Sequence, residues 1–259
     1  MTARVRRLQK PVLSFLKEGL AETLWPTRCV GCDAPGSLLC PDCTQKLPYI
    51  EQMYACKKCG APYGYLVCTE CSGCVDREEI FGAEPTPERF CELDGMCCYG
   101  EHEWPLDRLV RTYKDWSESR LADILGRFIA DALRESDGLA RLDLQAYDAV
   151  CFVPATPQAY ARRGFDHMEP IAKNVAGLLG KPCLDVLARR SHHDQRSLSR
   201  AERSSNVSGS MVSIKSLTGL SFICIDDVLT TGATIREAAR TLKEAGASLV
   251  FGATAVRVW

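Results

Sequence analysis

The sequence predicts an α/β fold in its second half, preceded by a small module that cysteines hold together. From about Tyr113 onward, amphipathic helical patterns alternate with short apolar or β-branched runs, a texture typical of helices packed on a sheet. Before that point, twelve of the fifteen cysteines lie between Cys29 and Cys98, in a stretch rich in glycine, proline and short turns. We therefore divide the chain into residues 1–26, 27–90 and 91–259 and expect the third segment to be the α/β domain.

The first segment is predicted to be an amphipathic helix. Lys17 and Glu18 interrupt its apolar stretch before it reaches the length of an export signal. No run in the chain approaches the roughly 18 apolar residues that a membrane span needs. A net charge of -1 provides no global field toward nucleic acid or a membrane surface. These features predict a cytoplasmic protein without a membrane span.

The second segment contains four CxxC motifs. Each motif is a tight turn that presents two thiolates to one ion, and two such turns complete a tetrahedral Zn²⁺ site of the closed, structural kind. The spacing leaves the pairing open, because sequential pairing gives two zinc ribbons and interleaved pairing gives a cross-braced module. Cys74 is a further candidate ligand. The predicted zinc ligands are Cys29, Cys32, Cys40, Cys43, Cys56, Cys59, Cys68 and Cys71.

Hydrophobic periodicity and turn residues predict the elements of the third segment. Helices are expected over residues 118–135, 166–180 and 234–245, and strands over residues 148–153, 184–188, 222–225 and 248–256. Residues 189–206 are polar and arginine-rich without a core pattern. We expect this polar segment to be a hood that closes over a bound anion, with a solvated loop as the alternative.

The strongest pattern in the chain is the run FICIDDVLTTGAT at residues 222–234. Its apolar start predicts a buried parallel strand, at whose carboxyl end Asp226 and Asp227 emerge. Two adjacent carboxylates suit the vicinal hydroxyl groups of a ribose, which they accept as charge-assisted hydrogen bonds. Small and hydroxyl residues then open directly into a helix and predict a phosphate-binding nest, formed by Thr230, Thr231, Gly232, Ala233 and Thr234.

This run resembles the diphosphoribosyl-binding motif of the type I phosphoribosyltransferases. More narrowly, the chain resembles the ComF family, phosphoribosyltransferase-like proteins associated with bacterial competence for DNA uptake. The resemblance covers nearly the whole chain: the paired CxxC motifs, residues 99–114, Val153-Pro154, Arg163-Gly164-Phe165, the 222–234 run, and Gln195, Arg200, Arg203 and Asn206. It implies a type I phosphoribosyltransferase fold behind a zinc-ribbon-like module, with phosphoribosyl diphosphate or a nucleotide as ligand.

The resemblance also implies roles for individual residues. Transfer of the phosphoribosyl group needs cations and a Mg²⁺ ion to stabilise the leaving diphosphate. The loop with Pro154, Ala155 and Thr156 is similar to the family's diphosphate loop, and Lys114, Arg162 and Arg163 are candidate cations. The predicted catalytic residues are Asp226, Asp227, Lys114 and Arg163. The hood residues implied are Gln195, Arg200, Arg203 and Asn206.

One position departs from the family pattern, because Asp166 and His167 stand where the family usually has Asn-Gln after Arg-Gly-Phe. A carboxylate at Asp166 would repel a diphosphate unless it bound the accompanying Mg²⁺. His167 could titrate near neutral pH, although a lone histidine is more often structural.

Two classes of function follow, an Mg²⁺-dependent phosphoribosyl-transferring enzyme and a non-catalytic module. In the second class the same fold binds a nucleotide or single-stranded DNA, and the zinc module docks a DNA-translocating helicase. Lys57 and Lys58, with Tyr54, Tyr63 and Tyr65, could offer cation and stacking contacts to single-stranded DNA, or the rings could pack around zinc. A general purine-salvage transferase is a third alternative.

Overall fold

The computed structural model describes residues 26–71, 90–190 and 209–258. The helix predicted over residues 1–26, apart from its last residue, therefore lies outside the described residues, as do Cys74 and the hood residues Gln195, Arg200, Arg203 and Asn206. The chain divides into two compact units, one ending at Leu47 and one beginning at Pro48. Within the part of the chain that is described, no helix combines the length and apolar character that crossing a membrane requires.

The first unit is a small, turn-rich body. Its backbone is closed by short-range hydrogen bonds, from Cys29 N to Ala34 O at 2.8 Å and from Val30 N to Leu38 O at 2.9 Å. Its described helix, α1 (Pro41–Thr44), has a proline in its first turn, where no backbone N–H is needed. Within residues 26–47 the buried hydrophobic residues are Cys29, Val30 and Cys43, so cysteines organise the described part of this unit.

The second unit contains a four-stranded parallel sheet with strand order β1-β6-β5-β2. A separate antiparallel pair joins β3 and β4. The strands are β1 (Gly95–Glu101), β2 (Ala149–Phe152), β3 (Leu187–Arg189), β4 (Met211–Ser213), β5 (Ser221–Leu229) and β6 (Leu249–Arg257). The helices are α2 (Leu106–Trp116), α3 (Leu121–Gly138), α4 (Pro157–Arg163), α5 (Met168–Leu179) and α6 (Ala233–Glu244).

Helices cover both faces of the sheet, because the central strand β5 buries side chains in both directions. Phe222 and Cys224 belong to one hydrophobic cluster with Ile235 of α6. Ile223 and Ile225 are fully buried and, by the alternation of a strand, point to the opposite face. There α3 packs on β1 and β6, and α5 packs on β2 and β5. The sheet is therefore the middle layer of three.

The predicted helices and strands are confirmed with shifted ends, except that the strand predicted over residues 222–225 runs on to Leu229. The reason is tertiary: β6 pairs with β5 as far as Arg257 opposite Leu229, whereas β2 ends at Phe152 opposite Ile225. The prediction that Asp226 and Asp227 follow the strand is wrong in this detail. Both aspartates lie inside β5 but beyond the end of its neighbour β2. At these two residues the edge of β5 that faces β2 is therefore not paired with that strand.

Five elements were not predicted: α1, β1, α2, α4 and β4. The strands β1 and β4 are defined by their partners β6 and β3, which lie far away in the chain. For α2 a signal was present, since Leu106, Leu109, Val110 and Tyr113 follow helical spacing and are buried. Charged residues between these buried positions obscure the apolar pattern of the helix in the sequence.

Candidate functional site

The eight predicted zinc ligands form two tetrads, and sequential pairing is correct. Within each tetrad the four sulfur atoms all lie within 4.8 Å of one another: Cys29, Cys32, Cys40 and Cys43 in the first, and Cys56, Cys59, Cys68 and Cys71 in the second. Four thiolates at this separation suit a tetrahedral Zn²⁺ ion and leave no open position on it. Both tetrads therefore fit structural zinc.

The two tetrads are built in the same way. In the first, Cys40 N donates to Cys29 Sγ at 3.3 Å, and in the second Cys68 N donates to Cys56 Sγ at 3.3 Å. Such bonds stabilise the thiolate form that binds zinc. The module is thus a repeated zinc knuckle, which the sequence spacing alone did not reveal.

The second tetrad is part of the unit that contains the sheet. The backbone carbonyl of Lys57 accepts from Met96 N of β1 at 2.9 Å. At Gly60, whose φ of 66° suits glycine, an added Cβ would lie 2.6 Å from Cys98 Sγ. The Arg141 guanidinium donates to four carbonyls around this tetrad, those of Gln52, Met53, Ala55 and Tyr65. Zinc in the second tetrad should therefore stabilise the sheet domain itself.

We expect Cys59→Ser to lower the melting temperature of the sheet domain by about 5–10 °C, because zinc binding and folding are coupled there. Cys32→Ser, in the other compact unit, is the matched control and should change the same transition far less. Calorimetry together with the zinc content of each variant checks this. Equal shifts for the two variants would contradict it.

The predicted phosphate nest lies between β5 and α6. Thr230 and Thr231 are exposed, and Gly232 precedes the helix with a φ of 78°, the left-handed conformation that glycine adopts without strain. An added Cβ at Gly232 would lie 2.3 Å from the ring of Phe90. The Arg257 guanidinium anchors the start of this loop by donating hydrogen bonds to the carbonyls of Leu229, Thr230 and Val258. The loop is thus a turn stabilised by these contacts, and it leads into the N-terminus of a 12-residue helix.

Asp226 and Asp227 point to opposite faces of the sheet, because they are neighbours in one strand. Asp226 is half-buried on the face that α6 covers, and its Oδ1 accepts from Asp227 N at 2.9 Å. Asp227 is buried on the other face. The sequence predicts that both carboxylates accept hydrogen bonds from one ribose diol. In the structure the two carboxylates lie in different surroundings, on opposite faces of the sheet.

Asp227 is the centre of a buried network of charged groups. Its Oδ1 lies 2.8 Å from Lys114 Nζ, and its Oδ2 lies 2.9 Å from His167 Nε2. Arg163 Nη1 lies 3.1 Å from His167 Nδ1, and Arg163 Nε donates to the Lys114 carbonyl at 2.9 Å. Because a guanidinium can only donate, Nδ1 accepts, and the ring proton is on Nε2, directed at Asp227. Tyr113 OH closes the network by donating to the His167 carbonyl.

The two carboxylates differ in their tendency to ionise. Burial, together with the negative charge of Asp227, raises the pKa of Asp226 to about 8. Burial disfavours the ionised form of Asp227 too, but the His167 hydrogen bond and the Lys114 charge hold its pKa well below the usual range. Near neutral pH the pair therefore combines an ionised Asp227 with an Asp226 that readily gains or loses a proton.

The loop after β2 is held by two charged side chains. Arg189 Nε donates to Pro154 O at 3.1 Å, and Ala155 N donates to Asp166 Oδ2 at 2.7 Å. Thr156 caps α4, since its hydroxyl accepts from Ala159 N at 3.2 Å. Burial lowers the pKa of Arg189, and the charge of Asp226 opposes that shift.

Arg189 is the site residue that sequence reasoning missed. The sequence pattern places Arg189 in the polar segment, but in the structure it lies in β3. Its guanidinium contacts Pro154 O in the loop after β2 and donates from Nη1 to Ser210 Oγ at 3.3 Å. The strand predicted over residues 184–188 ends one residue before it, which was the available signal.

The structure thus brings most of the predicted residues to one end of the sheet, in two groups. Asp226, Arg189 and the loop after β2 form one group, while Lys114, Arg163, His167 and Asp227 form the other. Lys114 and Arg163 make internal contacts, so their predicted contacts with a diphosphate stay predictions. Arg162 is exposed, 4.0 Å from Asp115.

This fold and this site define a phosphoribosyltransferase-type domain with zinc ribbons. A family profile described as "Phosphoribosyl transferase domain" matches residues 161–258, and one described as "Double zinc ribbon domain" matches residues 20–78. The match to the double zinc ribbon agrees with the two tetrads.

The chain resembles the ComF family of competence proteins over most of its length. It is 25% identical to Competence protein F of Haemophilus influenzae, over 90% of this chain and 95% of that protein. It is 25% identical to DNA utilization protein YhgH of Escherichia coli K12, over 90% and 96%. Among solved structures, a B. subtilis glutamine phosphoribosylpyrophosphate amidotransferase complexed with ADP and GMP matches 51% of this chain and 25% of that chain, with 21% identity and a TM-score of 0.35, which is too low to support an argument.

The raised pKa of Asp226 makes stability depend on pH. An unfolded aspartate has a pKa near 4, so between about pH 4 and about pH 8 the unfolded chain is ionised at this position while the folded chain keeps its proton. Stability of the wild type should fall as the pH rises through this window and level off above it. Asp226→Asn should remove this dependence and be more stable than the wild type at about pH 8.

Thermal unfolding measured from about pH 6.5 to about pH 9 checks this, because the zinc thiolates are not protonated in that range. Asp131→Asn on the exposed surface of α3 is the control and should follow the wild type. An Asp226→Asn curve that parallels the wild-type curve would contradict the prediction.

Proposed function

We propose that this chain binds the ribose 5-phosphate part of phosphoribosyl diphosphate or of a nucleotide at the carboxyl end of β5. The observation that carries the proposal is the loop of Thr230, Thr231 and Gly232. This loop joins β5, the strand that carries the half-buried Asp226, to the N-terminus of α6. The loop offers backbone N–H groups and hydroxyls to a phosphate. When ionised, Asp226 accepts charge-assisted hydrogen bonds from the ribose hydroxyls. Because its pKa is raised to about 8, ribose binding near neutral pH would be coupled to release of its proton.

The biological role we propose is in competence and DNA uptake. Two relatives that match 90% of this chain carry the names Competence protein F and DNA utilization protein YhgH, which supports that role. Zinc would be structural in both tetrads, and Mg²⁺ would arrive with the ligand's phosphates. Arg200 and Arg203, outside the described residues, are proposed to close over the bound anion.

As an enzyme, the protein would transfer the phosphoribosyl group to an acceptor with release of diphosphate. Asp226 would position the sugar, and Arg189 would place a fixed positive charge beside the loop after β2. Asp227, Lys114, His167 and Arg163 would keep the elements around the ligand in place. Diphosphate release measured across a panel of acceptors tests this activity.

At about pH 9, where wild-type Asp226 is ionised, we expect Asp226→Asn to weaken the binding of phosphoribosyl diphosphate, ribose 5-phosphate and nucleoside monophosphates by at least about tenfold, since a charge-assisted acceptor is lost. The variant should remain folded. Titration calorimetry with Mg²⁺ present measures the affinities, and Asp131→Asn is the matched surface control. Unchanged binding of all these ligands by Asp226→Asn would refute the site.

Asp227→Asn should behave differently, because Lys114 would lose its buried ionised partner. We expect a loss of stability of about 3 kcal/mol in addition to any loss of binding. Denaturant unfolding of the two variants side by side separates the two roles. A destabilised Asp226→Asn together with an unaffected Asp227→Asn would reverse the assignment.

The second candidate function is a non-catalytic one, contact with single-stranded DNA through the second zinc knuckle. The rings of Tyr63 and Tyr65 are 79% and 65% exposed, so they do not pack around zinc. Tyr54 lies edge-on to Tyr65 with ring centroids 5.6 Å apart, and Lys57 is exposed beside them. Exposed aromatic rings next to a cation are what stacking on unpaired bases requires. The same module would dock a DNA-translocating helicase.

We expect the double substitution Tyr63→Ala, Tyr65→Ala to weaken single-stranded DNA binding by about tenfold or more, as two stacking contacts are lost. Fluorescence anisotropy of a labelled oligonucleotide at low salt measures it, and Tyr160→Ala, at an exposed tyrosine of α4, is the control. Wild-type protein that binds no single-stranded DNA at low salt would exclude this function.

A further inference from the structure

The two carboxylate oxygens of Asp166 make different contacts. Oδ1 accepts from Met168 N at 2.9 Å, which caps the start of α5. Oδ2 accepts from Ala155 N at 2.7 Å, in the loop between β2 and α4. The first contact is an ordinary helix cap. The second reaches across to another part of the chain and is not needed for capping.

The peptide group that joins Pro154 and Ala155 is consequently engaged at both ends. Its carbonyl accepts from Arg189 Nε at 3.1 Å, and its N–H donates to Asp166. Val153 N of this loop already donates to Ile225 O at 3.0 Å and proline has no N–H of its own, so Ala155 is the next residue of the loop with a backbone donor. The donor that a bound anion would meet here is taken by a negatively charged side chain.

The charges around this loop also disfavour a second anion. The charges of Asp226, Glu237 and Asp166 all act on the ionisation of Arg189. Lys114 is paired with Asp227, and Arg163 is directed at His167. A highly charged diphosphate placed at this loop would therefore lie beside the Asp166 carboxylate, while three cations among the described residues, Arg189, Lys114 and Arg163, already have partners.

The other end of the site differs. The loop before α6 presents the hydroxyls of Thr230 and Thr231 and the N-terminus of a long helix, which favour an anion. The two ends of the site thus have opposite preferences for negative charge.

We propose that Asp166 occupies the diphosphate half of the ligand site and restricts it to ribose 5-phosphates that carry no 1-diphosphate, such as ribose 5-phosphate itself or a nucleoside 5-monophosphate. This inference rests on the ligand site proposed above, selects the ribose 5-phosphate and nucleotide alternative for it, and excludes transfer from phosphoribosyl diphosphate. It assigns Asp166 a specificity role, in which its Oδ2 acts as an internal substitute for a ligand oxygen.

The test compares ribose 5-phosphate, adenosine 5-monophosphate, inorganic diphosphate and Mg²⁺-phosphoribosyl diphosphate by titration calorimetry. The variants are Asp166→Asn and Asp166→Ser. Asn keeps one oxygen to cap α5 but removes the charge, and Ser can cap the helix but is too short to reach Ala155. Two variants with different shapes keep the test valid if one of them fails to fold.

We expect the wild type to bind phosphoribosyl diphosphate no more tightly than ribose 5-phosphate. Each variant should bind phosphoribosyl diphosphate and inorganic diphosphate about tenfold more tightly than the wild type, and ribose 5-phosphate within about twofold. The ratio of the two affinities is the readout, since a residue with only a capping role would not change it.

Three outcomes would overturn the inference. A wild type that prefers phosphoribosyl diphosphate by tenfold or more would show that Asp166 does not exclude the diphosphate. Loss of Mg²⁺-dependent phosphoribosyl diphosphate binding in both variants would make Asp166 a metal-binding group instead. Failure of every probe to bind the wild type and both variants would refute the proposed function, and this inference with it.

Discussion

The buried carboxylate of Asp227 is the interaction on which the ligand end of the sheet depends. It accepts from Lys114 in α2 and from His167 at the start of α5, and Arg163 of α4 ties both partners together. A buried carboxylate is stable only when its hydrogen bonds are made, so these helices must stand at fixed positions next to β5. The loop after β2 and the cap of α5 then follow, because Asp166 joins them directly beside His167.

The neighbouring Asp226 shows the opposite use of the same residue type. One strand position away, it faces the other side of the sheet, where no such set of partners neutralises it and where burial and the charge of Asp227 raise its pKa. Residues held in an unfavourable environment are commonly those that a ligand satisfies. The acidic pair thus divides into Asp227, which maintains the structure, and Asp226, which the proposed ligand would contact.

The zinc knuckles repeat one local design in two energetic settings. Each is closed by four thiolates and by an N–H bond to its first sulfur. Only the second is built into the unit with the sheet, where Arg141 binds its carbonyls and Gly60 lies against Cys98 of β1. Similar metal sites can therefore contribute quite differently to the stability of a domain.

Local patterns in the sequence determined much of this protein: the CxxC spacing, the apolar start of β5, the phosphate loop and the amphipathic helices all follow from neighbouring residues. Pairing of the tetrads, the extension of β5 to Leu229, the partners of Asp227 and the position of Arg189 did not. They depend on contacts between residues far apart in the chain. Sequence spacing specifies which residues share a turn or a helix face, but only the packed sheet and its helices decide which charged groups meet, because burial and neighbouring charge are properties of the whole fold.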